Sequence, residues 1–349
     1  MNPSTMNPST INASALQSLH SQRFRRTVSF VLALLVILLL LAMATLLIGS
    51  FPLELSQILQ AAQGELGQAS QMILVDYRLP RTLSALLVGA CLGMAGAIFQ
   101  TLMRNPLASP DLMGFSAGAG VGALSCVVLI SSSYLVVGAI AGGLITAALV
   151  LLLSWKSGLS VYRLVLVGIG FNFVLVAILD LILSRIDINQ AMEMNKWLAG
   201  TLNAIQWRHI EQLVMGMILL LPLAFWLQFK LNRLAFDDDL AMALGIEVNR
   251  TRLAIIIVGV LLTALAVTVA GPLPFIAFVS GPIARRLLRS SDAVLFTAAL
   301  VGALVTLLAD TCARYLGAWV NMPTGVFTAL IGAPYLLWLL ASQIRRGQI

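Results

Sequence analysis

The sequence predicts an all-α integral membrane protein of about ten transmembrane helices, with both termini on the cytoplasmic side. Three observations predict it. First, 60% of its 349 residues are hydrophobic and 10% are charged, with a mean hydropathy of +0.97, whereas a soluble globule carries about a quarter charged residues. Second, apolar runs of about 20 residues, the length that crosses a hydrocarbon core, recur at 28–49, 82–103, 111–131, 134–154, 163–184, 209–229, 253–270, 274–288, 293–311 and 323–341. Third, with the N-terminus inside, 15 of the 21 basic residues fall on the inner side: Arg23, Arg25, Arg26, Arg104, Lys156, Arg163, Lys230, Arg233, Arg250, Arg252, Arg285, Arg286, Arg289, Arg345 and Arg346. Basic residues are retained on the cytoplasmic side, so the net charge of +7 reports topology and gives no reason to invoke nucleic acid.

Residues 1–27 are polar and open with MNPST written twice, which predicts a disordered cytoplasmic tail. The run 28–49 is too long for a cleaved signal core and lacks a small-residue cleavage site, so it stays as an anchor. It begins a transmembrane domain over 28–342, followed by a cytoplasmic tail at 343–349.

Thr82 to Met103 must satisfy its backbone internally in lipid and is therefore read as a helix, with Gly89, Gly93 and Gly96 forming a face for close approach. Arg104, Asn105, Pro106 and Pro110 end it, because each proline removes an amide donor and disfavours helical geometry at the residue before it. The next helix is expected to start near Asp111, where an acid suits a helix N-terminus, with Gly114, Gly118 and Gly122 along one face. The segment 274–288 is short and interrupted by Pro282, so nine crossings with one re-entrant piece stays open beside ten. Prolines 106 and 110 in one half and 272, 274 and 282 in the other hint at an inverted repeat, since the helices from 82 and from 253 run in opposite directions.

The largest inner loop runs from Lys230 to Arg252. Asp237, Asp238 and Asp239 can cap a short helix, LAMAL, which Gly245 can terminate. On pattern alone a solvated connector is the competing reading.

No phosphate-binding G-x-x-x-x-G-K-S/T loop is present, nor a soluble segment long enough for an ATPase. Cys91, Cys126 and Cys312 are scattered through apolar runs, and His20 and His209 fall on opposite sides of the membrane, so no disulfide framework, metal site or catalytic residue is assigned. Among polar residues within the runs, Asp180 and Asp310 lie near outer helix ends, where hydration or a local arginine, Arg185 or Arg314, would satisfy them, whereas Asn172 lies deeper. Taken alone, Arg78, Arg81 and Arg314 read as residues that snorkel to the outer interface.

RLPR at 78–81, the G-x-x-x-G-x-x-G-x-x-x-Q run ending at Gln100, RNPLASPDLMG (104–114) and GAGVGA (118–123) together resemble the FecCD family, the permease subunits of ATP-driven importers for iron-siderophores and vitamin B12. FDDDLAMALGIEVNRTR (236–252), AGPLPFIAFVSGPIARRLL (270–288), LLADTCARY (307–315) and MPTGVFTALIGAPYLLWLL (322–340) continue the resemblance in the family's order, so that it covers roughly residues 30–342. One departure stands out. Where relatives often show Pro-His before I-A-R, this chain has Gly281 and Pro282.

The resemblance implies a vitamin B12-importer-type permease fold in the bacterial inner membrane. It implies that the loop at 230–252 is a coupling helix seated in an ATPase, with Asp237 and Asp238 in it and Ala243, Leu244 and Gly245 at the contact. Arg78, Arg81 and Arg314 would receive acidic residues of a periplasmic substrate-binding protein. Asn172, Val176, Thr324 and Thr328 would line the pathway. The implied partners are a second permease subunit, with a heterodimer favoured over a homodimer, two copies of an ATP-binding subunit, the binding protein and membrane lipid. ATP and Mg would be bound by the partner ATPase, with no cofactor in this chain, which would therefore not be an enzyme. The implied cargo is a ferric siderophore, with motif wording closest to the catecholate permeases; vitamin B12 or haem is the alternative. The rivals from other classes are an ion-coupled secondary transporter using Asp180 or Asp310 as a proton relay, and a non-transporting membrane anchor.

Overall fold

The computed structural model describes residues 13–47, 67–156, 160–203, 205–236, 238–290, 292–316 and 322–344, together with positions 54, 56 and 60. In chain order the helices are α1 (Ala13–Leu47), α2 (Leu79–Leu102), α3 (Phe115–Leu129), α4 (Leu135–Ser154), α5 (Val161–Leu183) and α6 (Ile188–Leu198). They continue as α7 (Trp207–Leu234), α8 (Asp238–Ala243), α9 (Val248–Ala270), α10 (Ile276–Leu288), α11 (Leu295–Leu316) and α12 (Thr324–Ile344). A helical turn at Gln68–Gln71 and a π-helical run at Met72–Arg78 lead without a break into α2.

Among the described residues eight helices are long and apolar enough to cross a bilayer. α3, of 15 residues, is a further, shorter apolar helix, and α10, of 13 residues, is shorter still. α10 is too short to cross alone, and the non-helical stretch 271–275 precedes it. Irregular backbone at membrane depth is tolerated only where protein surrounds it. Leu273 and Ile276, on either side of the bend into α10, are accordingly buried.

α2 and α9 form the centre, each with 78% of its apolar window buried, whereas α5, with 11%, lies at the periphery of the single chain. The glycines of α2 explain its position. Gly89 and Gly93 meet Gly302 and Ala298 of α11, and Gly96 meets the backbone of Ala277 in α10. A Cβ on Gly89 would stand 2.8 Å from the Cα of Ala303, closer than side chains pack. α3 and α4 form a hairpin on the same principle, Gly118 and Gly122 facing Gly142 and Gly138 so that the backbones touch. α2 and α9 run antiparallel: Phe99 lies against Gly259, while Arg104, beyond the end of α2, and Arg252, near the start of α9, both reach Asp238.

The helix boundaries differ from expectation at two places. α1 begins at Ala13, so residues 13–27, expected in a disordered tail, continue the first membrane helix. No glycine or proline lies between Ala13 and Thr27, and extending an existing helix avoids the cost of a new nucleus. Residues 1–12 of that tail lie outside the described residues. α3 starts at Phe115, not near Asp111, because Gly114 adopts φ +77° and breaks the run. Asp111 sits in the preceding turn. Its carboxylate accepts from the hydroxyls of Ser116 and Ser109, and its own amide donates to Ser109 Oγ at 3.2 Å.

Candidate functional site

At the outer face the ends of α1, α2, α11 and α12 meet around Asp310, whose side chain is fully buried. Arg81 donates to it from Nε at 3.0 Å and Nη2 at 2.8 Å, Arg314 from Nε at 2.7 Å, and the Thr324 hydroxyl at 3.1 Å. Arg314 reaches on to Thr82 Oγ1 at 3.2 Å and to the Thr45 carbonyl at 3.4 Å. Arg78 is buried and donates to the carbonyls of Leu46 and Leu47 at 2.7 and 3.2 Å, where α1 ends and a cation suits the dipole. A carboxylate with no exposed surface is tolerable only when paired and hydrogen-bonded. The cluster meets that condition and leaves positive charge in excess on the outer side.

The expected partner of Asp310, Arg314, is therefore present, and Arg81 joins it. Asp180 has no such partner in Arg185. α5 ends at Leu183, so Arg185 lies in the turn beyond it, and Asp180 is exposed on α5.

At the inner face α8 forms as the short helix expected between 237 and 245. Gly245, at φ +78°, ends it, with Gly245 N donating to Met242 O at 2.9 Å and Ile246 N to Ala241 O at 3.0 Å. Buried Ala241 anchors the underside, and Ala243, Leu244 and Gly245 are all exposed, beside exposed Phe236, Leu240 and Met242. Asp238 holds this helix in place by accepting from Arg252 at 2.7 Å and Arg104 at 3.2 Å. Arg104, just beyond the end of α2, also donates to the Leu234 carbonyl at the end of α7 at 2.8 Å. The braces Arg104 and Arg252 were not foreseen, since 134 residues separate Arg104 from Asp238. Asp237 lies outside the described residues. Beside α8 a groove of about 440 Å³ is lined by residues that include Trp226, Phe229, Lys230, Leu244, Gly245 and Arg250.

The expected pathway residues are not brought together. Val176 is exposed on α5, and Asn172 is half-buried with its backbone against Gly114. Thr324 and Thr328 are buried, the first bonded to Asp310 and the second donating to the Gly325 carbonyl at 2.9 Å. Their hydroxyls are taken up inside this chain, so they line no open face of it. His209 accepts from the Gln206 amide through Nδ1 at 2.9 Å and caps the start of α7.

Residues 34–342 match the model of the FecCD transport family. The chain belongs to that family. It is similar to the ferric enterobactin transport system permease protein FepG of Escherichia coli K12, 42% identical over 300 residues that cover 85% of this chain and 91% of that protein. The Fe(3+) dicitrate transport system permease protein FecD of the same organism is 35% identical and covers 86% of this chain and 94% of its own length. The probable siderophore transport system permease protein YfhA of Bacillus subtilis 168 is 39% identical, covering 77% of this chain and 82% of its own. A solved metal-chelate type ABC transporter in an inward-facing conformation superposes with a TM-score of 0.81 at 28% identity, over 90% of this chain and 99% of that one. The fold of this FecCD chain is thus that of an ABC transporter's membrane subunit.

Proposed function

We propose that this chain is an inner-membrane permease subunit that moves a ferric siderophore by alternating access, with ATP hydrolysed by a partner subunit that also binds Mg. The exposed Ala243–Leu244–Gly245 surface, on a helix braced to α2 and α9 through Asp238, carries this reading: it is a rigid protrusion shaped to transmit a partner's motion. Relatives named as permeases of ferric enterobactin and ferric dicitrate transport support the cargo class. A second permease subunit would cover the exposed face of α5, which carries Val176 and Phe173; a different chain is favoured over a second copy. Two ATPase copies would seat on the inner loops.

The outer cluster would receive the binding protein. Arg78 is taken up by the end of α1, so docking falls chiefly to Arg81 and Arg314, and Arg81, with 21% of its side chain exposed, is the more accessible. Such contacts fix register and speed encounter more than they add affinity. The test is uptake of a panel of radio-iron siderophores, catecholates first, and labelled vitamin B12 and haem into proteoliposomes holding the full complex. Uptake of one ferric siderophore, dependent on the binding protein, is the expected result. Uptake of vitamin B12 or haem alone would overturn the cargo.

A further inference from the structure

Pro282 interrupts α10 and has no amide hydrogen, so the carbonyl four residues earlier, Phe278 O, loses its place in the helical ladder. That carbonyl is deep in the protein. The side chain of Gln100, from α2 and 2% exposed, donates to it from Nε2 at 2.9 Å. The other end of the same carboxamide, Oε1, accepts from Arg285 Nη2 at 2.7 Å, about two helical turns after Phe278 and one after Pro282 along α10. The two partners fix the orientation of the amide, since a carbonyl can only accept and a guanidinium can only donate. Gly281 makes the approach possible, because a Cβ there would run into Gln100 Oε1.

Gln100 also stands one turn before Arg104, which braces α8 through Asp238. Both residues line a cavity of about 360 Å³ at the inner face, together with Arg285, Asn232 and Asp292. The end of α2 therefore carries two sets of polar contacts one turn apart, Arg104 to the coupling loop and Gln100 to the break in α10.

We propose that Gln100 is a positioning residue of the coupling machinery: its carboxamide replaces the donor that Pro282 removes and joins the broken α10 to the end of α2 that holds the coupling loop. This rests on the permease reading above, and ATP-driven uptake by the unsubstituted complex tests that reading separately. α10 would then follow α2 when the coupling loop is moved, despite its missing hydrogen bond.

The experiment is a double-mutant cycle in the complete complex in proteoliposomes, read as cargo taken up per ATP hydrolysed and as melting temperature. Pro282→Ala restores the backbone donor and should fold. Gln100→Glu keeps an oxygen for Arg285 while losing the donor, at nearly unchanged volume. In the Pro282 background, Gln100→Glu and Gln100→Leu should each lower uptake per ATP on the order of tenfold, the scale of one buried acceptor left unmade. In the Pro282→Ala background the same substitutions should cost about twofold or less. Should Gln100→Leu fail to reach the membrane, recovery by Pro282→Ala carries the same meaning. Equal losses in both backgrounds, or a Gln100→Glu complex with normal uptake per ATP, would overturn the proposal.

Discussion

Arg81 grips Asp310 through both Nε and Nη2, at 3.0 and 2.8 Å, and so fastens the start of α2 to the end of α11 across 229 residues of sequence. Together with Arg314 it surrounds a carboxylate that no solvent reaches. That geometry is of a structural counter-ion and offers no open path for a proton relay. Asp310→Asn preserves shape but leaves two guanidinium groups facing each other, and removing one member of a buried pair costs about 3 kcal/mol. Thr324→Val, which removes a single hydroxyl from the same cluster, should cost about 1 kcal/mol. Thermal melting in detergent checks both, and an Asp310→Asn variant as stable as the parent would contradict the assignment.

The α3–α4 hairpin depends on bare backbone at Gly122, where an added Cβ would lie 2.8 Å from the Cα of Gly142. Gly122→Val should therefore force the helices apart and cost about 1–3 kcal/mol. Gly170, on α5 with open space around it, provides the contrast. There Gly→Ala should stabilise by about 0.5–1 kcal/mol through helix propensity alone. Comparing the two melting shifts separates close packing from glycine content.

Gly245 has nothing within 4 Å of an added Cβ, but its φ of +78° strains most side chains. Aspartate is among the residues that tolerate this conformation, at about 1 kcal/mol. Gly245→Asp should thus leave the chain folded and in the membrane while uptake falls and ATP hydrolysis persists, because the bulk and charge lie on the surface proposed to meet the ATPase. Uptake at the parental rate would remove this surface from the coupling assignment.

Asp238 is partly exposed, and its pairs with Arg104 and Arg252 are partly screened, so Asp238→Ala should cost only about 1 kcal/mol of stability. Its larger effect should be on uptake per ATP hydrolysed, since the short helix loses both braces at once. A loss confined to melting temperature would mark the pair as merely structural.

Local rules made much of this readable from the sequence. Apolar length and the basic residues placed the crossings, Gly89, Gly93 and Gly96 marked the close face of α2, and the acid-first, glycine-last pattern around LAMAL delimited α8. What stayed hidden was long-range pairing. Nothing near Arg81 in sequence points to Asp310, and nothing near Gln100 points to Pro282, although an interior proline does announce a carbonyl in need of a donor. Of the two readings open for Asp180, the structure leaves the exposed one, since Arg185, near in sequence, lies beyond the end of α5 and does not pair with it. Thr324 and Thr328 are assigned to the pathway through the family resemblance, which places their helix but not the direction in which each hydroxyl bonds, and within this chain both bond inward.

The central claim, that an ATPase partner drives transport through the loop at Asp238–Gly245, is tested most directly by loading proteoliposomes with the assembled complex. Ferric siderophore uptake is then followed with ATP inside, in the presence and absence of a protonophore. The account predicts uptake that requires ATP and the binding protein and is indifferent to the collapse of the proton gradient. Uptake that proceeds without ATP and stops when the gradient collapses would contradict it and assign this chain to ion-coupled transport.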